Sequence, residues 1–174
     1  MARIPYPEDL DAPEIAALAE RIRKERGGKV LNLYKMLLNS PPVAEGWLNL
    51  LTAIRQQAIL SGKFRELAIL RIALLNRADY EYRAHIPFGL KEGMNQPQIE
   101  ALPNWSESDA FDATERAVLA YADSMTNDIQ VSDDVFDAVS SKLDTREMTE
   151  LTATIAAYNL VSRFLEALQV DHEH

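Results

Sequence analysis

Repeated helix-start signals constrain the fold of this chain more than any other feature of its sequence. At four places an aspartate or asparagine is followed three positions later by a glutamate or glutamine. In such a pair the first side chain caps a first-turn N–H, and the second side chain reaches back to the backbone N–H of the capping residue. The four pairs are Asp11 with Glu14, Asn95 with Gln98, Asp112 with Glu115, and Asp144 with Glu147. This repetition, with no convincing β segment, predicts an all-α fold.

Apolar residues recur at helical spacing along most of the chain and predict a bundle of about eight helices. The first helix is expected over residues 12–26, where a Gly-Gly pair ends it, and the last from Thr145 to about Leu168. A helix is also expected over residues 41–60, because prolines are tolerated in a first turn. Residues 103–111 are the one clear loop.

The central stretch, from Arg65 to Gly93, reads as two helices joined by a tight turn at residues 76–79. Glu81 and His85 are four residues apart, so they share one face of the second helix. An antiparallel hairpin brings Glu66, on the first helix, level with His85. Two carboxylates and an imidazole that converge in this way suit proton transfer, because the reference pKa of histidine, about 6.5, lies near working pH.

Length and charge limit the organisation and partners of the chain. Its 174 residues suit a single domain over positions 1–174, with residues 1–10 and 170–174, including His172 and His174, as flexible ends. The net charge of -9 argues against nucleic acid or an anionic membrane surface as a main partner. No apolar run approaches the roughly 18 residues of a membrane span, and no signal-peptide core is present. We therefore expect a cytoplasmic protein.

The absence of cysteine excludes disulfides, thiolate nucleophiles and cysteine-ligated metal sites. Glu66, Glu81 and His85 could together bind a divalent metal, but the same groups suit a metal-free proton relay. We favour the relay and expect neither a metal nor another cofactor.

The central motif resembles that of the carboxymuconolactone decarboxylase and alkylhydroperoxidase-like superfamily. Peroxidase members have a Glu, then Cys-x-x-Cys, then a His four residues after the second Cys. Here Glu66 and His85 keep that register, while Ala78 and Glu81 occupy the cysteine positions. The resemblance covers about residues 27–170. It implies an alkylhydroperoxidase-like helical fold that assembles as a homo-oligomer, as dimers, trimers or hexamers.

The departure from the peroxidase pattern bears on activity. Without sulfur the chain cannot run thiol peroxidase chemistry, since a methionine thioether does not cycle through a disulfide. Glu81 before His85 resembles the decarboxylase branch, whereas Glu66 resembles the peroxidase branch. The resemblance therefore implies a lyase or isomerase that acts on a small carboxylated or lactone substrate, with His85, Glu81 and Glu66 as catalytic residues.

Five further side chains are candidates for binding the substrate. Arg71 and Arg83 are cations that suit an anionic group, and Arg71 is alternatively a buried ion-pair partner of Glu66 or Glu150. Tyr82 lies beside the motif, although packing is its more common role. Asn159 and Arg163 share one face of the last helix and line either the pocket or a subunit interface.

Two other function classes remain open at this stage. One is a peroxide-detoxifying protein that uses an external reductant. The other is a non-catalytic, oligomeric binding subunit, which a solvent-blocked His85 would favour.

Overall fold

A computed structural model describes residues 1–173, and within them it contains nine α-helices and no β-strand. The helices are α1 (Ala16–Glu25), α2 (Asn32–Leu37), α3 (Pro41–Thr52), α4 (Gly62–Leu75), α5 (Asp79–Lys91), α6 (Gln96–Ala101), α7 (Ala113–Asn127), α8 (Asp133–Ser140) and α9 (Thr145–Leu168). A π-helical turn (Ala53–Gln57) follows α3, and a 3₁₀-helix (Leu102–Glu107) follows α6. The all-α prediction is confirmed. His174 lies outside the described residues, and so does the part of the flexible-end prediction that falls on it.

Three of the four predicted helix-start pairs form reciprocal caps. Asn95 with Gln98 and Asp112 with Glu115 are complete capping boxes. Asp144 and Glu147 exchange backbone-to-side-chain bonds of 2.8 and 2.9 Å. These three pairs fix the starts of α6, α7 and α9.

The predicted start of the first helix is wrong, because α1 begins at Ala16 and not at residue 12. The backbone N–H of Asp11 donates to Oδ1 of Asp9 at 2.8 Å, so the N–H that Glu14 was expected to bind has another acceptor. The residues before α1 form turns instead. The predicted loop at 103–111 is also partly helical, since the 3₁₀-helix extends to Glu107.

The chain divides into two compact units. The first contains Met1–Gln57 and the residues from Leu165 onward. In it α3 packs against α1 and α2. Tyr6 donates to Oδ2 of Asp171 at 3.0 Å, and the N–H of Arg3 donates to the carbonyl of Leu168 at 2.9 Å, so both ends of the chain take part in this unit.

The second unit, Ala58–Phe164, is built on α4, which packs against α5 and α7. Five consecutive side chains of α4, from Glu66 to Leu70, are at most 1% exposed. A helix buried on all sides needs apolar residues all round, which is what the sequence supplies here. Polar groups on α4 must therefore find partners inside the protein.

None of the helices within residues 1–173 combines the length and the apolar character that crossing a bilayer requires.

Candidate proton-transfer site

The hairpin of α4 and α5 brings the candidate catalytic residues together. Arg77 ends the α4 turn in the left-handed region, at φ 57°, and the N–H of Ala78 donates back to the carbonyl of Ala73 at 2.8 Å. This closure reverses the chain over a few residues, as the sequence predicted. Asp79 is the first helical residue of α5, and Ala78 holds the capping position.

His85 lies between two carboxylates. Its Nδ1 is 2.6 Å from Oε2 of Glu66, and its Nε2 is 3.0 Å from Oε1 of Glu81. Each ring nitrogen therefore has its own acid partner, and the three predicted catalytic residues form one linear group. A proton can pass from one carboxyl group to the other through the ring, because each transfer spans a single hydrogen bond.

All three members of this Glu66–His85–Glu81 triad are buried. Glu66 is 1% exposed, Glu81 4% and His85 4%. Buried ionisable groups persist only when they are paired and hydrogen-bonded, and this triad meets that condition. The ring is closed to bulk solvent in the single chain.

Electrostatics favour the charged forms of His85 and Glu66. Burial lowers the pKa of His85, but the charge of Glu81 and the hydrogen bonds of Glu66 and Glu81 outweigh it, so the pKa is raised above 6.5. Burial likewise raises the pKa of Glu66, yet the hydrogen bond and charge of His85, together with Arg65, lower it below 4.5 overall. An imidazolium that donates to both carboxylates is the state that this geometry stabilises.

An outer shell of polar groups positions Glu66. Nε of Arg65 is 3.2 Å from Oε1 of Glu66, and its Nη2 is 3.6 Å from Oε1 of Glu92. Gly62, at the start of α4, leaves room for this arrangement, since a Cβ there would overlap Oε2 of Glu92. The parts played by Arg65 and Glu92 were not predicted, although the adjacency of Arg65 to Glu66 in sequence was a usable signal.

Two aromatic rings pack on the imidazole. Tyr158 meets it edge-on with ring centroids 5.2 Å apart, and Phe88 lies tilted at 5.5 Å. Tyr158 is 1% exposed, whereas Phe88 is 42% exposed. The Phe88 side of the ring is therefore the side nearer to solvent.

Arg71 has a different partner from those predicted. Its Nε and Nη2 bind the two carboxylate oxygens of Asp123 at 2.5 and 2.9 Å, and its Nη1 donates to the carbonyl of Leu102 at 3.0 Å. The expected ion pair with Glu66 or Glu150 is wrong, because Glu150 binds the N–H groups of residues 59 and 60. Arg71 thus ties α4 to α7 and to the 3₁₀-helix.

Of the other four predicted substrate-binding residues, three have partners outside the triad and the fourth is exposed. Nε of Arg83 pairs with Oδ2 of Asp79 at 2.8 Å on an exposed face, and Tyr82 donates to the carbonyl of Ile99 at 3.3 Å. Asn159 is buried and donates to Oγ1 of Thr126 at 2.9 Å, while Arg163 is exposed. A substrate-binding role for these side chains stays a prediction.

Among residues 1–173, no group of three or more His, Asp or Glu side chains has an arrangement that could hold a metal ion.

Comparison with known families gives a match at the centre of the chain. Residues 41–124 match the model of the Carboxymuconolactone decarboxylase family. The matched range includes the whole triad and the hairpin that carries it. No curated protein matches the chain.

Solved structures similar to this chain share its fold. An Agrobacterium tumefaciens protein of unknown function, described as a putative antioxidant defence protein AhpD, is 21% identical with a TM-score of 0.74, covering 80% of this chain and 96% of its own. A peroxidase-related protein from Silicibacter sp. TM1040 is 18% identical with a TM-score of 0.83, covering 99% and 92%. A variant of the debrominase Bmp8, in complex with 2,3,4-tribromopyrrole, is 17% identical with a TM-score of 0.82, covering 99% and 94%.

Proposed function

We propose that the chain is a metal-free lyase or isomerase that moves protons on a small carboxylated or lactone substrate, and the match of residues 41–124 to the Carboxymuconolactone decarboxylase family supports this proposal. The observation that carries this proposal is the pair of short contacts from His85, 2.6 Å to Glu66 and 3.0 Å to Glu81. The similarity to the debrominase bound to 2,3,4-tribromopyrrole supports a small ring compound as substrate.

In the proposed reaction Glu81 is the group that touches the substrate. Loss of CO₂ from a carboxylated lactone leaves an electron pair on the ring as a dienolate, and a proton must then be delivered to carbon. Glu81 takes a proton from the imidazolium of His85 across the Oε1–Nε2 contact and passes it to the ring carbon. The neutral imidazole then regains a proton from water when the site opens to release CO₂ and product. Glu66 holds the ring from the other side and stabilises its positive charge.

Substrate entry requires the closed site to open. His85 is 4% exposed, and the half-exposed Phe88 packs on its ring. Rotation of the Phe88 side chain is the movement that we propose exposes the imidazole. Phe88→Ala should therefore lower KM more than it changes kcat, whereas Phe136→Ala, which removes another exposed phenylalanine, should change neither.

The main experiment measures CO₂ release and double-bond migration with a panel of carboxylated lactones. Glu81→Gln and His85→Gln should each abolish turnover while the protein remains folded by circular dichroism, since each removes a proton-carrying group. Glu100→Gln is the matched control, because Glu100 is an exposed residue of α6. Undiminished turnover in both triad variants would refute the assignment.

A non-catalytic binding subunit is the second candidate, and the burial of the whole triad favours it. In that case the wild-type protein would bind a ring carboxylate without converting it, and Glu81→Gln would leave the affinity unchanged. Isothermal titration calorimetry combined with product analysis separates the two functions.

The proposed function does not include thiol-dependent peroxidase activity, because the chain has no cysteine to supply the thiolate. A peroxide-detoxifying role would require an external reductant. Consumption of an organic hydroperoxide in the presence of a dithiol, lost in His85→Gln, is the result that would favour it.

We also propose that the protein works in the cytoplasm as a homo-oligomer. Leu90 and Leu160 are large apolar side chains that are 41% and 47% exposed in the single chain. Apolar residues exposed in this way are often covered by a second subunit. Light scattering after size exclusion gives the mass, and a monomer at micromolar concentration would contradict the proposal.

A further inference from the structure

A second candidate site lies in the first unit of the chain, which does not contain the triad. An open cleft of about 450 Å³ is lined there by three cationic side chains, those of Arg23, Lys29 and Lys35. Val30 and Leu31 add an apolar part to the lining. In a protein with a net charge of -9, three cations around one cleft are a marked local reversal of charge.

The cleft already holds a carboxylate from the protein itself. Oε1 of Glu173 accepts from the backbone N–H of Asn32 at 2.6 Å, a short hydrogen bond to a charged acceptor. Nδ2 of Asn32 donates to the carbonyls of Asp171 and His172 at 3.0 and 3.2 Å. These contacts hold the segment 171–173 so that its glutamate reaches the cleft.

The lining keeps a positive excess with Glu173 in place. Arg23 is partly neutralised by Glu20 at 3.2 Å and by Asp11 at 3.8 Å. Nζ of Lys35 donates to Oδ1 of Asn32 at 3.1 Å. Within the described part of the chain, neither Lys29 nor Lys35 has a carboxylate within 4.0 Å. The positive charges of Lys29 and Lys35 therefore have no carboxylate partner there and can attract an anionic ligand.

We propose that this cleft is a binding site for a small aliphatic carboxylate, and that the side chain of Glu173 occupies the carboxylate position in the free protein. The apolar lining suits the methylene groups of such a ligand, and the lysines and the Asn32 amide suit its charge. A tethered carboxylate competes at an effective concentration in the millimolar range, so Glu173 weakens the affinity for a free ligand.

The test uses the full chain, glutarate as the probe, and the backbone amide signal of Asn32 in ¹⁵N NMR spectra. In the Glu173→Gln variant this signal should move upfield, because the charged acceptor is lost. Added glutarate should return it downfield in a saturable way, with at least a fivefold lower Kd than in the wild-type protein. Uncharged glutaramide should leave the signal in place.

Charge variants separate a specific site from general attraction. Lys29→Gln combined with Lys35→Gln should weaken glutarate binding at least fivefold in the Glu173→Gln background, whereas Lys91→Gln, at an exposed lysine of α5, should not. The proposal is overturned if glutarate fails to shift the Asn32 signal, if Lys91→Gln weakens binding equally, or if inorganic phosphate binds as tightly as glutarate.

Discussion

Nδ1 of His85 and Oε2 of Glu66 meet at 2.6 Å across the α4–α5 hairpin, although nineteen positions separate the two residues in sequence. The contact pairs the imidazole of His85 with the side chain of Glu66, which is 1% exposed. Each group stabilises the charged form of the other. The free energy of unfolding therefore depends on pH through the same two groups that take part in the proposed reaction.

The first prediction concerns the pH dependence of stability. The pKa of His85 is raised above 6.5, so its contribution is complete below pH 6.5 and is lost as the pH rises through the folded-state value. The pKa of Glu66 is lowered below 4.5, so its contribution is complete above pH 4.5 and is lost as the pH falls through the folded-state value. The triad should therefore stabilise the fold most between pH 4.5 and 6.5.

Urea unfolding of the wild-type protein and of His85→Gln across pH 4–9 checks this prediction. The difference in unfolding free energy between the two proteins should be largest between pH 4.5 and 6.5 and should become smaller as the pH rises through the folded-state pKa of His85. A difference that grows above pH 7 would contradict the direction assigned to His85.

The second prediction concerns the bidentate pair of Arg71 and Asp123. Asp123 also accepts from Nε1 of Trp105 at 3.0 Å, so Asp123→Asn weakens two contacts at once. We expect a loss of about 1.5–3 kcal/mol in unfolding free energy, the usual range for hydrogen bonds to charged groups. Asp134→Asn, at an exposed position in the first turn of α8, is the control and should cost much less.

If Asp123→Asn also abolished binding of an anionic substrate, with stability unchanged, the structural role would be wrong and the predicted role of Arg71 as a substrate clamp would gain support. Unfolding curves and binding isotherms on the same samples distinguish the two results.

The local parts of the structure could be predicted from sequence because they depend on short spacings. The α4–α5 hairpin and the shared face of Glu81 and His85 follow from helical periodicity and a tight turn. The caps at Asn95 and Asp112 follow from contacts three residues apart. Asp11 shows the limit of this reasoning, because Asp9 offers a competing acceptor for its N–H.

The partners of Arg71 could not be predicted, since Asp123 is 52 positions away and any of several acids was equally plausible from sequence. The same applies to the edge-on contact of Tyr158 with His85, which depends on the packing of α9. The degree of burial of the triad was likewise inaccessible, because it depends on neighbours from distant helices.

The third prediction tests whether Gly62 makes room for Glu92. A Cβ at position 62 would lie 2.5 Å from Cδ of Glu92, so Gly62→Ala must displace that carboxylate, whose Oε1 lies 3.6 Å from Nη2 of Arg65. In the Glu92→Ala background the carboxylate that the new Cβ would displace is absent. There, Gly62→Ala should be neutral or slightly stabilising, because helix propensity acts only weakly at the first position of a helix.

A double-mutant cycle by urea unfolding measures the coupling between positions 62 and 92. Gly62→Ala should be less favourable with Glu92 present than with Glu92→Ala. Equal effects in the two backgrounds would show that Glu92 relocates without cost and that Gly62 has no spatial role.

The fourth prediction concerns Ser162, which is 0% exposed on α9. Within residues 1–173, its Oγ has no hydrogen-bond partner. A buried hydroxyl without a partner costs free energy on folding, so Ser162→Ala should stabilise the protein by about 1 kcal/mol. Thr154→Val is the matched control, because Oγ1 of Thr154 is also buried on α9 but donates to the carbonyl of Glu150 at 2.7 Å. The two substitutions should therefore shift the urea midpoint in opposite directions, and a destabilising Ser162→Ala would mean that the hydroxyl gains a partner in solution.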